Sequence, residues 1–507
     1  MMFLTDDGES VNKSQQALQA FQNFLTTPLD RQLQRHASVS PDAIATALFH
    51  EVAATVPAYQ AFLREHQIDP ASIQTLADFQ KLPLITKENY LRRYSLSQLC
   101  RHGKLELCDT IAVSSGSTGK PTFWARFIAD ELQIATRFEQ IFRDSFAADS
   151  HPTLAVVCFS LGTWVGGMYT TNCCRYLAQK GYPITVVTPG NNKAEIFRVI
   201  QELGDAFAQV VLLGYPPFIK DVIDTGIAQG IAWQRYQLKL VLAGEVFSEA
   251  WRDLVAQRIG ANPCYDFAAL YGTADAGVLG NETPLSICIR RFLANHPAIA
   301  RELFGESRLP TLVQYDPCDR FFEVEHGTLL FSGNNGIPLV RYHIADTGGI
   351  IQYNTMLEFL AKVGFDPIAL PHARGNHLPF VYVFGRSDFT VSYFGANIYP
   401  ENIAVGLEQP EINEWVTGKF VLQVKEDADQ NRYLSVVVEL APAIAASEAK
   451  QDAIASSIQS QLRRLNSEFA NYVPSEYQTP QVTLTAMGDP EYFPVGVKHR
   501  YTRGISL

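Results

Sequence analysis

From residue 150 onward one pattern repeats along the chain. Short apolar, β-branched runs, TLAVVCFS (153–160), ITVVTP (184–189), QVVLLG (209–214) and LKLVLAGE (238–245), alternate with the helical stretches NNKAEIFRVIQEL, FIKDVIDTGIAQG and SEAWRDLVAQRIG. Strands that are continuously apolar rather than alternating must be covered on both faces, and helices between them supply the cover and the crossovers. The pattern predicts a buried, mostly parallel sheet flanked by helices. Ligands of such sheets bind beyond the carboxyl ends of the strands. Three of the runs end there in glycine-containing turns, SLG (160–162), LLGYPP (212–217) and LAGE (242–245).

The flanks differ. Residues 11–65 carry apolar side chains at mixed three- and four-residue spacing, among them Leu18, Phe21, Phe24 and Leu25, and read as helical. After FVYVFGRSD (380–388) come a turn-rich strand pair, TVSYFGANIYP, and a short helix, PENIAVGLEQ. Two strands, KFVLQVKED and YLSVVVEL, and a long amphipathic helix, SEAKQDAIASSIQSQLRRLNSEF, follow. This is an α+β unit of ordinary small-domain size. The expected organisation is a large α/β N-terminal domain over 1–387 and a small α+β C-terminal domain over 388–507. A length of 507 residues, 47% of them hydrophobic, is ample for a large core and too long for one ordinary domain.

Charge and cysteine usage narrow the function classes. The net charge is −11 and there is no basic run, which argues against a nucleic-acid partner. The eight cysteines are scattered without a C-x-x-C pair, and the adjacent Cys173 and Cys174 are poorly placed to bond each other. Cys288, Cys318, His296 and His326 lack paired spacing, so no zinc site is expected. The stretch MMFLTDDGESVNKS lacks the basic and apolar regions of a secretory signal. The longest uncharged apolar stretch, Leu154 to Tyr169, is too short and interrupted for a membrane span. The expected setting is a reducing cytoplasm, with no membrane partner.

One segment carries chemistry on its face: AVSSGSTGKPT (112–122). It is not a Walker phosphate loop, because Ser114 stands where that motif has its first glycine and Pro121 follows the lysine. Consecutive backbone N–H groups in a glycine-rich turn still form an anion-binding concavity, and Lys120 adds a cation suited to phosphate. Composition alone favours a plain polar surface loop, so the rest of the chain has to decide.

Six further segments, in order, decide it. They are VPAYQAFLREHQID with LPLITKENY (82–90), LAGEVFSEAWRD (242–253), LYGTADAG (270–277), PLVRYHIADTG (338–348), GRSDFTVSYFGANIYPENI (385–403) and FPVGVKHRY near the end. Together with SSGSTGKPT, the chain resembles the adenylate-forming superfamily, and within it the phenylacetate–CoA ligase-like family, over nearly its whole length. The resemblance implies an AMP-forming acid–thiol ligase. Such an enzyme uses ATP with Mg²⁺ to activate a carboxylic acid as acyl adenylate, releases pyrophosphate, and passes the acyl group to CoA. Forming the adenylate is mainly a matter of positioning and of gathering negative charge.

The resemblance also distributes roles. Ser114, Ser115, Gly116, Ser117, Thr118 and Gly119 would hold the β- and γ-phosphates, with Lys120 adding charge. Gly244 and Glu245 would lie beside adenine, and Tyr271 would offer it an aromatic face, followed by Gly272 and Thr273. Asp346 would accept from the ribose hydroxyls, a task a carboxylate does well, and Arg386 would reach ribose or phosphate. Asp275 would ligate Mg²⁺. Asp388 would be the hinge of a mobile C-terminal domain that delivers Lys498 to the reacting oxygens. Phe159, Trp164, Gly166 and Gly167, with Tyr215, would line the acid pocket, glycines making room and aromatics forming walls. An aromatic or other apolar acid is therefore expected.

The departures lie in two motifs. In YGTADAG the family's hydroxyl residue is Ala274 and its glutamate is Asp275, one methylene shorter. Losing one phosphate-directed hydrogen bond weakens a transition state by about 1–3 kcal/mol, unless Thr273 supplies the hydroxyl. The glycine that usually precedes the late lysine is displaced by one, as Gly496-Val497-Lys498. Two other readings stay open: transfer of the acyl group to an amine or a carrier-protein thiol, and a non-catalytic acyl- or nucleotide-binding protein. The resemblance makes a homodimer a reasonable expectation.

Overall fold

The computed structural model describes residues 13–114, 122–305, 309–369, 376–386, 391–441, 444–493 and 501–502. The helical N-terminal region is present as Lys13–Thr26, Leu29–Leu33, Pro41–Thr55 and Pro57–Glu65. The four apolar runs are strands Thr153–Val157, Ile184–Val187, Gln209–Gly214 and Leu238–Ala243, each followed by a helix. With Phe267–Thr273 they form five adjacent parallel strands of one 11-stranded sheet. Thr153–Val157 and Gln209–Gly214 are buried along their whole length, as two-faced cover requires.

The other half of the sheet corrects the expectation of mostly parallel strands. Beyond Phe267–Thr273 come, in spatial order, Gly277–Asn281, Thr311–Gln314, Phe380–Arg386, Leu339–Ile351, Thr328–Gly333 and Arg320–Glu325, all joined antiparallel. The connections explain this. His326 and Gly327 alone join two of these strands, both with positive φ (52° and 76°), a two-residue hairpin turn. Ala274–Ala276 joins another pair. Links this short leave no room for the crossover that a parallel pair needs.

A buried ionic cluster fixes the last parallel strand. Arg252, fully buried, pairs with Glu282 at 2.7 Å and Glu249 at 2.9 Å, and Arg290 bonds Glu249 and the Phe247 carbonyl. Glu282 in turn accepts from the Ala269 backbone N–H at 2.8 Å. Helices Glu249–Ile259 and Pro284–Ala294 are thereby tied to the strand Phe267–Thr273, which carries Tyr271. Burial pushes the Glu249 carboxyl up, but Arg252 and Arg290 outweigh it and hold it down at about 2.

The C-terminal part carries its own three-stranded sheet, Val416–Glu426, Arg432–Leu440 and Gln481–Thr485, with the helices Pro400–Leu407 and Glu448–Leu465. The expected long helix stops one residue short of Asn466, whose side chain accepts from Phe469 N–H and starts a second helix, Ser467–Tyr472. Thr502 bridges to Leu422 on the edge of this sheet. Apolar packing runs without a break from the parallel strands into this part. Among the described residues no helix is long and apolar enough to cross a membrane.

The Glu249 carboxyl is lower in the folded than in the unfolded chain, so its contribution exists above about pH 4.5 and is lost as pH falls toward 2. Glu249→Gln is expected to flatten that part of the acid-unfolding curve, a difference on the order of 3 kcal/mol. Denaturant melts between pH 7 and pH 2.5 check it. Parallel curves for the two proteins would contradict it.

Candidate functional site

The carboxyl ends of the parallel strands form one rim, and the expected residues collect there. Phe159 follows Thr153–Val157, Tyr215 follows Gln209–Gly214, Gly244 and Glu245 follow Leu238–Ala243, and Tyr271 lies near the end of the next strand, Phe267–Thr273. The Tyr271 hydroxyl donates to Asp346 Oδ2 at 2.6 Å. Two residues 75 positions apart thus meet, the carboxylate buried and the phenol half-exposed. Asp346 is set by its strand, which pairs it with Arg386 in register. The Arg386 side chain lies outside the described residues, as do Ser115, Gly116, Ser117, Thr118, Gly119, Lys120, Asp388 and Lys498.

The turn after Tyr271 is held from both sides. Thr273 Oγ accepts from the Ala276 N–H at 3.2 Å, so its oxygen braces the turn. Gly277 leaves the turn at φ +71°, where a Cβ would lie 2.4 Å from Ile134 Cδ1; only glycine fits. Behind, the buried Arg126 donates to the Ala274 carbonyl and the buried Arg320 to the Ala276 carbonyl. Arg126 also lies over the Tyr169 ring. Asp130 sits beside these arginines; burial pushes its carboxyl up to about 6 against their pull.

Asp275 is buried and already engaged. Tyr342 donates to its Oδ2, and Lys87 Nζ stands 3.3 Å from its Oδ1. Lys87 arrives because Ile85 adds to the strand Leu339–Ile351, with His343 N–H donating to the Ile85 carbonyl at 2.9 Å. This bears on the expected Mg²⁺. A magnesium ion takes one or two carboxylates with phosphate and water oxygens, but both Asp275 oxygens already face donors. No group of three metal-ligating side chains exists among the described residues. A magnesium ion on Asp275 would therefore compete with Tyr342 and Lys87 for its oxygens.

Ser114 is buried and its hydroxyl accepts from the Trp124 indole at 2.9 Å. Its strand Thr110–Ser114 pairs with Thr122–Arg126, so the glycine-rich stretch spans the link between two antiparallel strands. Val113 N–H donates to the Thr163 carbonyl, which brings the strand beside Trp164.

The aromatic residues form a chain. Phe159 meets Tyr215 edge-on at 4.9 Å, Tyr215 meets Tyr472 at 5.4 Å, and Tyr472 meets Trp164 at 4.9 Å. Gly166 and Gly167 let their helix close onto the strand exit, since a Cβ on Gly167 would lie 2.3 Å from the Ser160 carbonyl oxygen and one on Gly166 would touch Phe159. Their smallness here serves backbone packing. A Cβ on Gly272 would lie 2.8 Å from the Gly277 carbonyl, for the same reason.

Glu245 follows its strand at the rim and is engaged there by the C-terminal part. Its carboxylate is buried, accepts from Gly395 N–H at 2.5 Å and pairs with Arg432, both in the C-terminal part. Sequence reasoning gave no role to Lys87, Tyr342, Arg126 or Arg432. Lys87 stands in LPLITKENY and Tyr342 in the RY of PLVRYHIADTG, so both lay inside recognised motifs. Arg126 and Arg432 lay in no motif, and only tertiary structure brings them in.

No protein-family profile and no curated protein matches the chain. Solved structures do. The 2-hydroxyisobutyryl-CoA ligase, in complex with 2-HIB-AMP and CoA in its thioesterification state, is similar with a TM-score of 0.63 at 16% identity, over 92% of this chain and 90% of that one. The same ligase in its postadenylation state with 2-HIB-AMP gives 0.52 at 15% identity, over 91% and 88%. Its open conformation with 2-HIB-AMP and CoA gives 0.52 at 15% identity, over 91% and 90%. The chain therefore has the fold of this ligase.

Lys87→Met is expected to destabilise the protein by about 1–2 kcal/mol by stranding the buried Asp275 carboxylate. Adding Asp275→Asn to it should recover part of that loss. Chemical melts of the single and double variants measure it; strictly additive losses would show that the two side chains do not interact.

Proposed function

We propose that the chain is an ATP-dependent acid ligase that forms an acyl adenylate, releases pyrophosphate and transfers the acyl group, with CoA as acceptor. The observation that carries this reading is the Tyr271–Asp346 pair at the rim of the parallel strands. A buried carboxylate held by a phenol is suited to two vicinal ribose hydroxyls, and the half-exposed tyrosine ring beside it to a purine face. The fold of a CoA ligase over nine-tenths of the chain supports the same reading.

In this reading the chain's own groups divide the work. Asp346 exchanges the Tyr271 hydroxyl for the ribose hydroxyls, which fixes the nucleotide. The 114–120 stretch and Lys120 hold the leaving phosphates. Lys87, already directed at Asp275, places a cation on the phosphate side of the Tyr271 turn. Lys498 stabilises charge during adenylation. Phe159, Trp164 and Tyr215 face an aromatic or other apolar acid, and the hinge at Asp388 reorients a mobile C-terminal domain between the two steps. CoA is preferred over an amine or a carrier-protein thiol. CoA is what the neighbouring ligase holds in its thioesterification state, the state with which this chain compares better, at 0.63, than with that ligase after adenylation, at 0.52.

ATP–pyrophosphate exchange across a panel of acids tests the reading. Acid-dependent exchange, with AMP and no ADP as the nucleotide product, is expected. ADP and phosphate, or ATP binding with no exchange for any acid, would overturn it. Asp346→Ala removes two charge-assisted bonds of about 1.5–3 kcal/mol each and should weaken ATP binding at least tenfold. Lys498→Ala should slow adenylation roughly a hundredfold while leaving transfer from preformed acyl adenylate nearly intact. Equal losses in both half-reactions of a folded protein would remove the adenylation-only role.

A further inference from the structure

The turn at Gly244–Glu245 is where the C-terminal part meets the rim. Gly244, at φ +87°, and Gly395, at φ +82°, face the same Tyr215 ring; a Cβ on either would lie 2.7 Å or 2.2 Å from it. Two backbones from distant parts of the chain thus close on one tyrosine at contact distance. The Ser392 hydroxyl donates to the Gly244 carbonyl at 3.2 Å, and Arg432 donates to the Val246 carbonyl. The Arg432 guanidinium, buried, is shared between Glu245 and Glu426, the latter at 3.1 Å. Around this centre lie further polar contacts: Lys193 to Glu476 at 2.7 Å, the buried Lys220 to Asn431 at 2.7 Å, and Tyr477 to the buried Asp221 at 3.1 Å.

We propose that the Glu245–Arg432 pair is a latch that seats the C-terminal part for the acceptor step. This rests on the ligase reading for what the seat is used for. Glu245 and Arg432 form an ion pair whose two side chains are buried, and separating the parts breaks it together with the Glu245–Gly395 and Arg432–Val246 hydrogen bonds. Exposed pairs such as Lys193–Glu476 contribute little, whereas the buried bonds share one guanidinium and one carboxylate and are made or lost together. Glu245 belongs to the loop at the nucleotide rim, so the same carboxylate senses both the rim and the docked part. Arg432 is a positioning residue: it touches no reacting atom and acts by holding Glu245 and the Val246 carbonyl.

The test uses the full-length chain with Arg432→Met, and with Arg432→Lys as the conservative variant. Transfer is read from synthetic phenylacetyl adenylate to CoA, adenylation from ATP–pyrophosphate exchange, and docking from the radius of gyration by small-angle X-ray scattering. Arg432→Met should enlarge the radius of gyration and slow transfer at least tenfold, with exchange kept within twofold. Arg432→Lys should restore part of both. Unchanged scattering and transfer, or equal losses in transfer and exchange, would overturn the latch. If Arg432→Met does not fold, Arg432→Lys alone decides: its transfer must fall while its exchange holds. A wild-type chain that exchanges with no acid would defeat the ligase reading, and the scattering comparison would then still decide the latch.

Discussion

The parallel strands Thr153–Val157 and Gln209–Gly214, buried along their whole length, leave the rim at their carboxyl ends as the place where a ligand is met. Their side chains have no access to solvent except at the ends. Phe159, Tyr215, Gly244, Glu245 and Tyr271 each stand one or two positions from the carboxyl end of a neighbouring strand, so their spacing is set by strand spacing and not by loop conformation. The antiparallel half of the sheet then brings in what the parallel half lacks. The long strand Leu339–Ile351 carries Tyr342 to Asp275 and Asp346 to Tyr271, and its added partner Ile85 delivers Lys87.

Holding this rim still takes buried charge. The Arg252–Glu282–Glu249–Arg290 cluster grips the base of the Tyr271 strand, and Arg126 and Arg320 grip the carbonyls of the turn after it. Each of these cations is directed at backbone or carboxylate, where a buried guanidinium must find acceptors. Substituting any one of them leaves a partner stranded in the interior, so the cluster specifies one arrangement even where it adds little net stability. The same logic applies at Glu245, whose partners come from the C-terminal part.

Much of this was legible in the sequence. The apolar, β-branched runs at 153–160, 184–189, 209–214 and 238–245 marked the parallel strands, because they are short and alternate with helical stretches. Tyr271 and Asp346 were found through motifs, and the structure brings them together. The antiparallel half was misread, since its strands are linked by turns such as His326–Gly327 that carry little periodic signal. The bond that Glu245 makes was not legible, because its partner, Arg432, lies 187 residues away in an unremarkable strand start. Lys87 was overlooked inside a quoted motif: one lysine after LPLIT says nothing about the buried carboxylate it will meet.

The central claim is that the rim around Tyr271 and Asp346 is a nucleotide site. A crystal structure of the full-length chain grown with AMP tests it most directly. The account predicts AMP bound with both ribose hydroxyls within hydrogen-bonding distance of the Asp346 carboxylate, the Tyr271 hydroxyl displaced from it, and the purine against the Tyr271 ring. AMP bound elsewhere, or a Tyr271–Asp346 bond kept intact beside bound AMP, would contradict it.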